Sequence, residues 1–245
     1  MNLKDKVAVV TGGTRGLGLR ITEAFVAEGA QVVAGARGAD GAVESLAHLG
    51  DRAVFEQADV RDPASVRSLL SVAADRFGGV DIVVANAGLS RPGPVSALSF
   101  EDWSDVVDTN VNGLFHCVKE AVPHLEKSGG GRIITLSSAL GSRPTRGASS
   151  YCSTKAAVEM FTRVVALELA PLGITVNCLS PGFIDEGMGT LLKKNEAVWS
   201  QYAPKVSLGR MGQGQEVADA AVYLASAAAS YVNGHVLEVN GGLAW

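Results

Sequence analysis

The sequence predicts an α/β fold, a single domain in which seven parallel strands form a doubly wound sheet with helices on both faces. Three observations carry this. Short β-branched runs alternate with longer segments whose apolar residues recur at helical spacing. Several of the runs are apolar without alternation, as expected of strands covered on both faces. No linker, low-complexity tract or internal repeat breaks the 245 residues, a length that suits one α/β domain.

Taken in order, the first strand is Val7 to Val10, and the glycine-rich T-G-G-T-R-G-L-G of Thr11 to Gly18 follows it at once. A helix then runs from Leu17 to Glu28. The second strand lies in G-A-Q-V-V-A-G-A-R-G and begins at Gln31, and the third is Ala53 to Phe55. Pro63 suits the first turn of the helix Pro63 to Phe77, with Asp62 as its cap. The fourth strand, Ile82 to Val84, leads into Asn86-Ala87-Gly88. One helix is expected from Phe100 to Leu125, a fifth strand from Arg132 to Leu136 and a helix from Tyr151 to Leu169. Ile174 to Asn177 and Val236 to Val239 complete the strands.

In sheets of this kind ligands bind beyond the carboxyl ends of the strands, so motifs just after strands matter most. The glycines of the first loop allow a tight turn and close backbone approach. The helix behind them adds unsatisfied N–H donors and a partial positive charge, which suits a pyrophosphate. The spacing is G-x-x-x-G-x-G, at Gly12, Gly16 and Gly18. An acid at the end of the second strand would bind the ribose 2′-hydroxyl of NAD, but Ala36 and Arg37 stand there and Arg15 adds a second cation. Two guanidiniums suit a 2′-phosphate, so NADP(H) is expected before NAD(H). As solvated surface arginines the pair would say nothing about the cofactor. Asp59, before Val60, could accept a bond from an adenine amino group or be an ordinary loop acid. Ala87 and Gly88 are small enough to let a cofactor pass.

Tyr151 and Lys155 are four residues apart and share one helical face, while Ser138 lies just past the fifth strand. Tyrosine alone is a poor acid or base near neutrality, and a neighbouring lysine cation is expected to favour tyrosinate and lower its pKa. A serine hydroxyl can polarise a carbonyl oxygen. Together these groups suit hydride transfer to a carbonyl carbon with Tyr151 giving its proton to the oxygen, or the reverse oxidation of an alcohol. Read alone, the same residues could cap a helix and cover its surface.

The ordered set of motifs resembles the short-chain dehydrogenase/reductase family over almost the whole chain. T-G-x-x-x-G-x-G stands at 11 to 18, D-V at 59 to 60, N-A-G at 86 to 88, N-V-N-G at 110 to 113, L-S-S ending at 138, Y-x-x-x-K at 151 to 155 and P-G at 181 to 182. The resemblance implies a Rossmann-like domain and selects Ser138 over Ser137, since the family serine precedes the tyrosine by thirteen residues. It implies a catalytic set of Asn110, Ser138, Tyr151 and Lys155, with Asn110 helping to hold a relay water and Lys155 bonding the nicotinamide ribose. By sequence alone Asn110 could equally stabilise a helix kink. Expected cofactor contacts are Gly12, Thr14, Arg15, Gly16, Leu17, Gly18, Arg37, Asp59, Val60, Asn86, Ala87, Gly88, Tyr151, Lys155, Pro181, Gly182 and Ile184. Expected substrate contacts are Ser138, Tyr151, Glu186 and Met188.

Within the family the chain is most similar to the 3-oxoacyl-carrier-protein reductase branch, through G-R-I-I-T-L-S-S, L-G-I-T-V-N, S-P-G-F-I and V-N-G-G. Two departures stand out. Glu186 occupies a position where a threonine often meets the nicotinamide carboxamide. Gly129 and Leu172 stand where basic residues would meet an acidic carrier. A free ketone or alcohol is therefore expected alongside an acyl thioester. The alternatives are an NAD(H)-dependent alcohol or sugar dehydrogenase, a nucleotide-sugar epimerase and a non-catalytic dinucleotide sensor. The epimerase is disfavoured by the short chain after Lys155, and the sensor by the intact serine, tyrosine and lysine.

A substrate lid is expected over Asp185 to Met211, with Met188, Leu191, Leu192, Trp199 and Tyr202 as its apolar content. The helix from Tyr151 is apolar on more than one face, and the family implies a homotetramer that uses it. The tail V-L-E-V-N-G-G-L-A-W resembles the second interface. A composition of 47% hydrophobic and 19% charged residues supports a packed core. A net charge of −4 without long runs argues against nucleic-acid or polybasic membrane binding. Three cysteines without a CxxC argue against a disulfide framework or zinc knuckle, and no metal is expected. With no apolar stretch near the roughly 18 residues of a membrane span and no signal-peptide pattern, a cytoplasmic protein is expected.

Overall fold

A computed structural model describes residues 1–194 and 196–244. Seven strands form one parallel sheet, β1 (Val7–Thr11), β2 (Gln31–Ala36), β3 (Ala53–Gln57), β4 (Ile82–Ala85), β5 (Gly131–Leu136), β6 (Ile174–Pro181) and β7 (Val236–Val239). Their order is β3-β2-β1-β4-β5-β6-β7. Val9 pairs with Val33 on one side and Val83 on the other, so the order reverses at β1, between β2 and β4. That reversal opens a crevice at the carboxyl ends of β1 and β4.

Successive side chains of a strand point to opposite faces. Here both faces are covered, which is why the strands read as unbroken apolar runs. Ala8 and Val10 face one layer, formed by α1 (Gly16–Ala27), α2 (Ala42–Leu46) and α9 (Gly214–Ala225), with Ile21, Phe25 and Leu46 buried there. Val7 and Val9 face the other layer, where α3 (Pro63–Phe77) contributes Leu69 and Leu70. Each such fully buried side chain contributes about 1.5–3 kcal/mol. Asp62 caps α3 by accepting from the backbone N–H groups of Ala64 at 2.9 Å and Ser65 at 3.3 Å, with Pro63 at the first helical position.

The expected helix from Phe100 to Leu125 is interrupted. It divides into α4 (Phe100–Val107), a π-helical turn over Asp108–Asn112, and α5 (Gly113–Lys127). The wider turn accommodates an extra residue and aims Asn110 inward, where it is 3% exposed. Gly113 restarts the α-helix against the loop after β3, since a Cβ there would lie 2.6 Å from Val60 Cγ2.

The helix carrying Tyr151 is α6 (Ser149–Leu169), and β6 continues past its expected end to Pro181. The segment expected as a lid holds α7 (Met188–Lys194) and α8 (Glu196–Tyr202), before α9 (Gly214–Ala225) returns to the α1 layer with Val217, Ala221 and Leu224. Its two ends are tied together, Asp185 N donating to Gly212 O at 2.8 Å and Gly212 N to Phe183 O at 2.9 Å. Trp199 and Tyr202 stack around Phe183, with ring centroids 5.8 and 4.9 Å away. The side chain of Leu191 and the whole of Trp245 lie outside the described residues. Among the described residues no helix is long and apolar enough to cross a membrane.

Candidate active site

The loop between β1 and α1 turns through Gly12 and Gly16, both in the left-handed region at φ +66° and +55°. Gly18, in the first turn of α1, lies so close to the loop that a Cβ would stand 2.0 Å from Gly12 O. The loop is held from across the crevice. Asn86 Nδ2 donates to Thr11 O at 2.8 Å, and Thr11 Oγ1 accepts from the N–H groups of Asn86 and Ala87, both at 3.1 Å. Asn86 is therefore a strut for the glycine loop, and the small Ala87 and Gly88 line the space beside it. Thr14 is buried, Leu17 packs on the α1 layer, and Arg15 is exposed. The first turn of α1 carries no acid, so its N–H groups and positive end are uncompensated. This cradle suits a diphosphate.

Arg37 is exposed at the end of β2, and neither it nor Arg15 makes a side-chain hydrogen bond or ion pair among the described residues. Asp59 is engaged by Arg61, whose Nη2 lies 2.6 Å from Oδ2, and this contact lowers its pKa. Val60 is buried beside it. Pro181 and Gly182 end β6, and a Cβ on Gly182 would meet Asn240 at 2.7 Å, so glycine lets the β7 tail pass. Ile184 is buried at the root of the lid.

Ser138 ends the run after β5, and its Oγ accepts from Leu140 N at 3.2 Å. The loop from 139 to 148 then brings α6 back, so that the Tyr151 phenol comes close to the Ser138 hydroxyl. Ser137 is differently placed. It is buried and donates to Lys155 O at 3.0 Å or Glu159 Oε1 at 2.9 Å. Burial pushes the Tyr151 phenol above its ordinary value, and the nearby Ser138 hydroxyl works against that rise. The expected lowering by Lys155 is not what the protein's own groups produce. Lys155 Nζ donates instead to Leu136 O at 2.7 Å, and burial brings its own pKa down to about 8.

Asn110 meets this group from the opposite side. Its Oδ1 accepts from Leu89 N at 2.9 Å, and its Nδ2 lies 3.0 Å from Leu89 O and 3.1 Å from Thr154 Oγ1. A Cβ on Gly88 would lie 3.3 Å from Asn110 Oδ1 and 3.4 Å from Lys155 Nζ, so the two side chains converge on that glycine. A cavity of about 10 Å³ lined by Asn110, Lys155, Leu136 and Thr11 adjoins them, room for about one water.

Glu186 accepts from Arg20 Nε on α1 at 2.8 Å, and Met188 is 59% exposed. Arg20, Thr11, Glu159 and Thr154 join these contacts without having been expected there. Thr11 opens a motif already singled out and could have been found with it. The other three are ordinary helix residues whose partners come from distant segments.

The family model described as enoyl-(acyl carrier protein) reductase matches residues 12–244. The chain is 38% identical to the 3-oxoacyl-(acyl-carrier-protein) reductase of Vibrio cholerae over 243 residues, 99% of each chain. It is also 38% identical to the 2,5-dichloro-2,5-cyclohexadiene-1,4-diol dehydrogenase of Sphingobium indicum, over 98% of this chain and 96% of that one. A short-chain type dehydrogenase/reductase structure from Mycobacterium marinum superposes with a TM-score of 0.91 at 36% identity, covering 98% of this chain and 96% of that chain. One from Mycobacterium ulcerans gives 0.95 at 30% identity, covering 99% and 90%. With these matches spanning nearly its full length, the chain belongs to the short-chain dehydrogenase/reductase family and is an oxidoreductase acting between CH–OH and C=O groups.

Proposed function

We propose that the protein is an NADP(H)-dependent reductase of 3-oxoacyl-type or small free ketones, with Tyr151 as its general acid. The observation that carries this is the convergence of Ser138, Tyr151 and Lys155 at the carboxyl end of β5, across the crevice from the glycine loop. Bound there, the nicotinamide supplies hydride to the carbonyl carbon. Ser138 holds and polarises the carbonyl oxygen, and Tyr151 Oη delivers the proton to it. The raised pKa keeps that proton on the phenol at neutral pH. Lys155 and Asn110 share a small cavity with room for about one water, and from that place Lys155 would return a proton to Tyr151.

Gly12, Thr14, Gly16, Leu17 and Gly18 would hold the diphosphate, with Asn86, Ala87, Gly88, Val60, Pro181, Gly182 and Ile184 along the rest of the crevice. Arg15 and Arg37, exposed cations with no protein carboxylate in hydrogen-bond contact among the described residues, support a 2′-phosphate over a free ribose. Asp59, already bound by Arg61, is left with limited capacity toward adenine. The segment 185–211 serves as the lid. Exposed Phe115 on α5 and Met160, Val164 and Leu167 on α6 support assembly of copies through these helices, within a homotetramer.

A second reading, oxidation of a cyclic or secondary alcohol with NAD(P)⁺, rests on the diol dehydrogenase named above, as similar in sequence as the reductase. The test is Tyr151→Phe assayed at the nicotinamide absorbance with NADPH or NADH against 3-oxoacyl thioesters, free ketones and alcohols. Turnover should fall by at least about 10²-fold with nucleotide affinity nearly unchanged. Retained turnover would sink the assignment of Tyr151. Activity only on alcohols would favour the second reading.

A further inference from the structure

We infer that Arg20 and Glu186 form a clasp that holds the lid over the glycine loop and slows nucleotide release. The inference rests on the dinucleotide reading of that loop. Glu186 sits at the lid's first turn, where its backbone O accepts from Gly189 N at 3.0 Å as α7 begins. Its carboxylate reaches α1 and accepts from Arg20 Nε at 2.8 Å, joining residues 166 apart in sequence. Arg20 is held in place from its other end, with Nη1 donating to Glu23 Oε2 at 2.9 Å. Glu23 in turn faces His48 Nε2 at 3.1 Å.

The clasp has a built seat. Gly214, the first residue of α9, lies against it so closely that a Cβ would stand 2.8 Å from Arg20 Cγ and 3.0 Å from Glu186 Oε2. Beside it the lid backbone touches the phosphate loop, since a Cβ on Gly16 would meet Gly187 Cα at 3.3 Å. Both glycines are left-handed, at φ +55°, a conformation that favours glycine. Any diphosphate entering or leaving the loop at Gly16 must displace this backbone contact, and the adjacent ion pair resists that displacement. With Glu186 side chain 23% and Arg20 44% exposed, the pair is partly screened by solvent. It is a modulator of release, and Arg20 and Glu186 are positioning residues.

Two measurements test this on the full chain. The first is stopped-flow dissociation of NADPH, displaced by excess NADP⁺, from wild type, Arg20→Gln, Glu186→Gln and the double variant. Each single variant should release NADPH about two- to fivefold faster, and the double variant no faster than the singles. The second is cleavage of the nucleotide-free protein by a protease acting in segment 188–205, which should quicken in the same variants. Unchanged release and unchanged cleavage in both single variants would overturn the clasp, as would effects that simply multiply in the double variant. A wild type that binds neither NADPH nor NADH would overturn the dinucleotide reading and the clasp together. Quickened cleavage in that case would show only that the ion pair restrains the segment.

Discussion

Lys155 Nζ stands 5.5 Å from the centroid of the Tyr151 ring, and burial moves the two groups in opposite directions, the phenol up and the ammonium down to about 8. With Tyr151 as the proposed general acid, reduction needs the protonated phenol, which this environment preserves. The charge on Lys155 disappears as pH rises through about 8. Reductive kcat/KM should therefore hold near neutrality and fall above about pH 8, while alcohol oxidation should rise with pH. Profiles from about pH 6 to 10 in both directions decide this. A reductive profile flat to the alkaline end would mean that the charge on Lys155 is not required.

The same shift carries a stability consequence of opposite sign to that of an ion-paired lysine. The folded pKa lies below the unfolded one, so the unfolded chain binds more protons between about 8 and 10.5 and stability rises with pH across that window. The penalty is fully present below about 8. Lys155→Met should be most favourable to stability, relative to wild type, at neutral pH, and the difference should shrink toward pH 10.5 in urea unfolding curves.

Ser137 and Ser138 are adjacent, yet opposite outcomes are expected for them. Ser137→Ala removes a hydroxyl partner of the buried Glu159 carboxylate and should cost about 1–3 kcal/mol of stability. Its effect on turnover of the folded enzyme should be small. Ser138→Ala removes the hydroxyl beside the Tyr151 phenol and should lower kcat by about 10²-fold with little loss of stability. Denaturation midpoints and kcat for both variants separate the two roles.

Arg37→Asp tests the cofactor preference. Loss of a charge-assisted grip on a 2′-phosphate should weaken NADPH by about 10- to 100-fold and leave NADH nearly unchanged. Equal weakening of both, measured by titration, would mean that Arg37 does not reach that phosphate.

Gly18→Ala tests the cradle itself. The added Cβ would lie 2.0 Å from Gly12 O and 2.5 Å from Asn86 Nδ2, so the loop and its strut must both shift. A loss of about 1–3 kcal/mol in stability is expected from the overpacking, together with loss of nucleotide binding. Unaltered binding would place the diphosphate elsewhere.

Much of the architecture could be read from local pattern. A strand covered on both faces needs apolar residues at every position, and Val7 to Val10 or Ile82 to Val84 show that in three or four letters. A helix four-spacing places Tyr151 and Lys155 on one face whatever lies around it. The glycine loop, the Asp62 cap and the serine beyond β5 likewise depend on neighbours in the chain. The π-helical turn at Asp108–Asn112 was legible only as an optional kink at Asn110, because its extra residue is set by what Asn110 must reach, the backbone of Leu89 and the hydroxyl of Thr154. The partner of Glu186 lies 166 residues away, and no spacing rule connects them. The direction of the Tyr151 shift also belonged to the folded molecule. Desolvation sums over every group packed around a site, whereas sequence spacing reveals only which charges lie near it along one helix. Periodicity records what each segment must bury, and packing between segments decides how deeply each group is buried and which partner it meets.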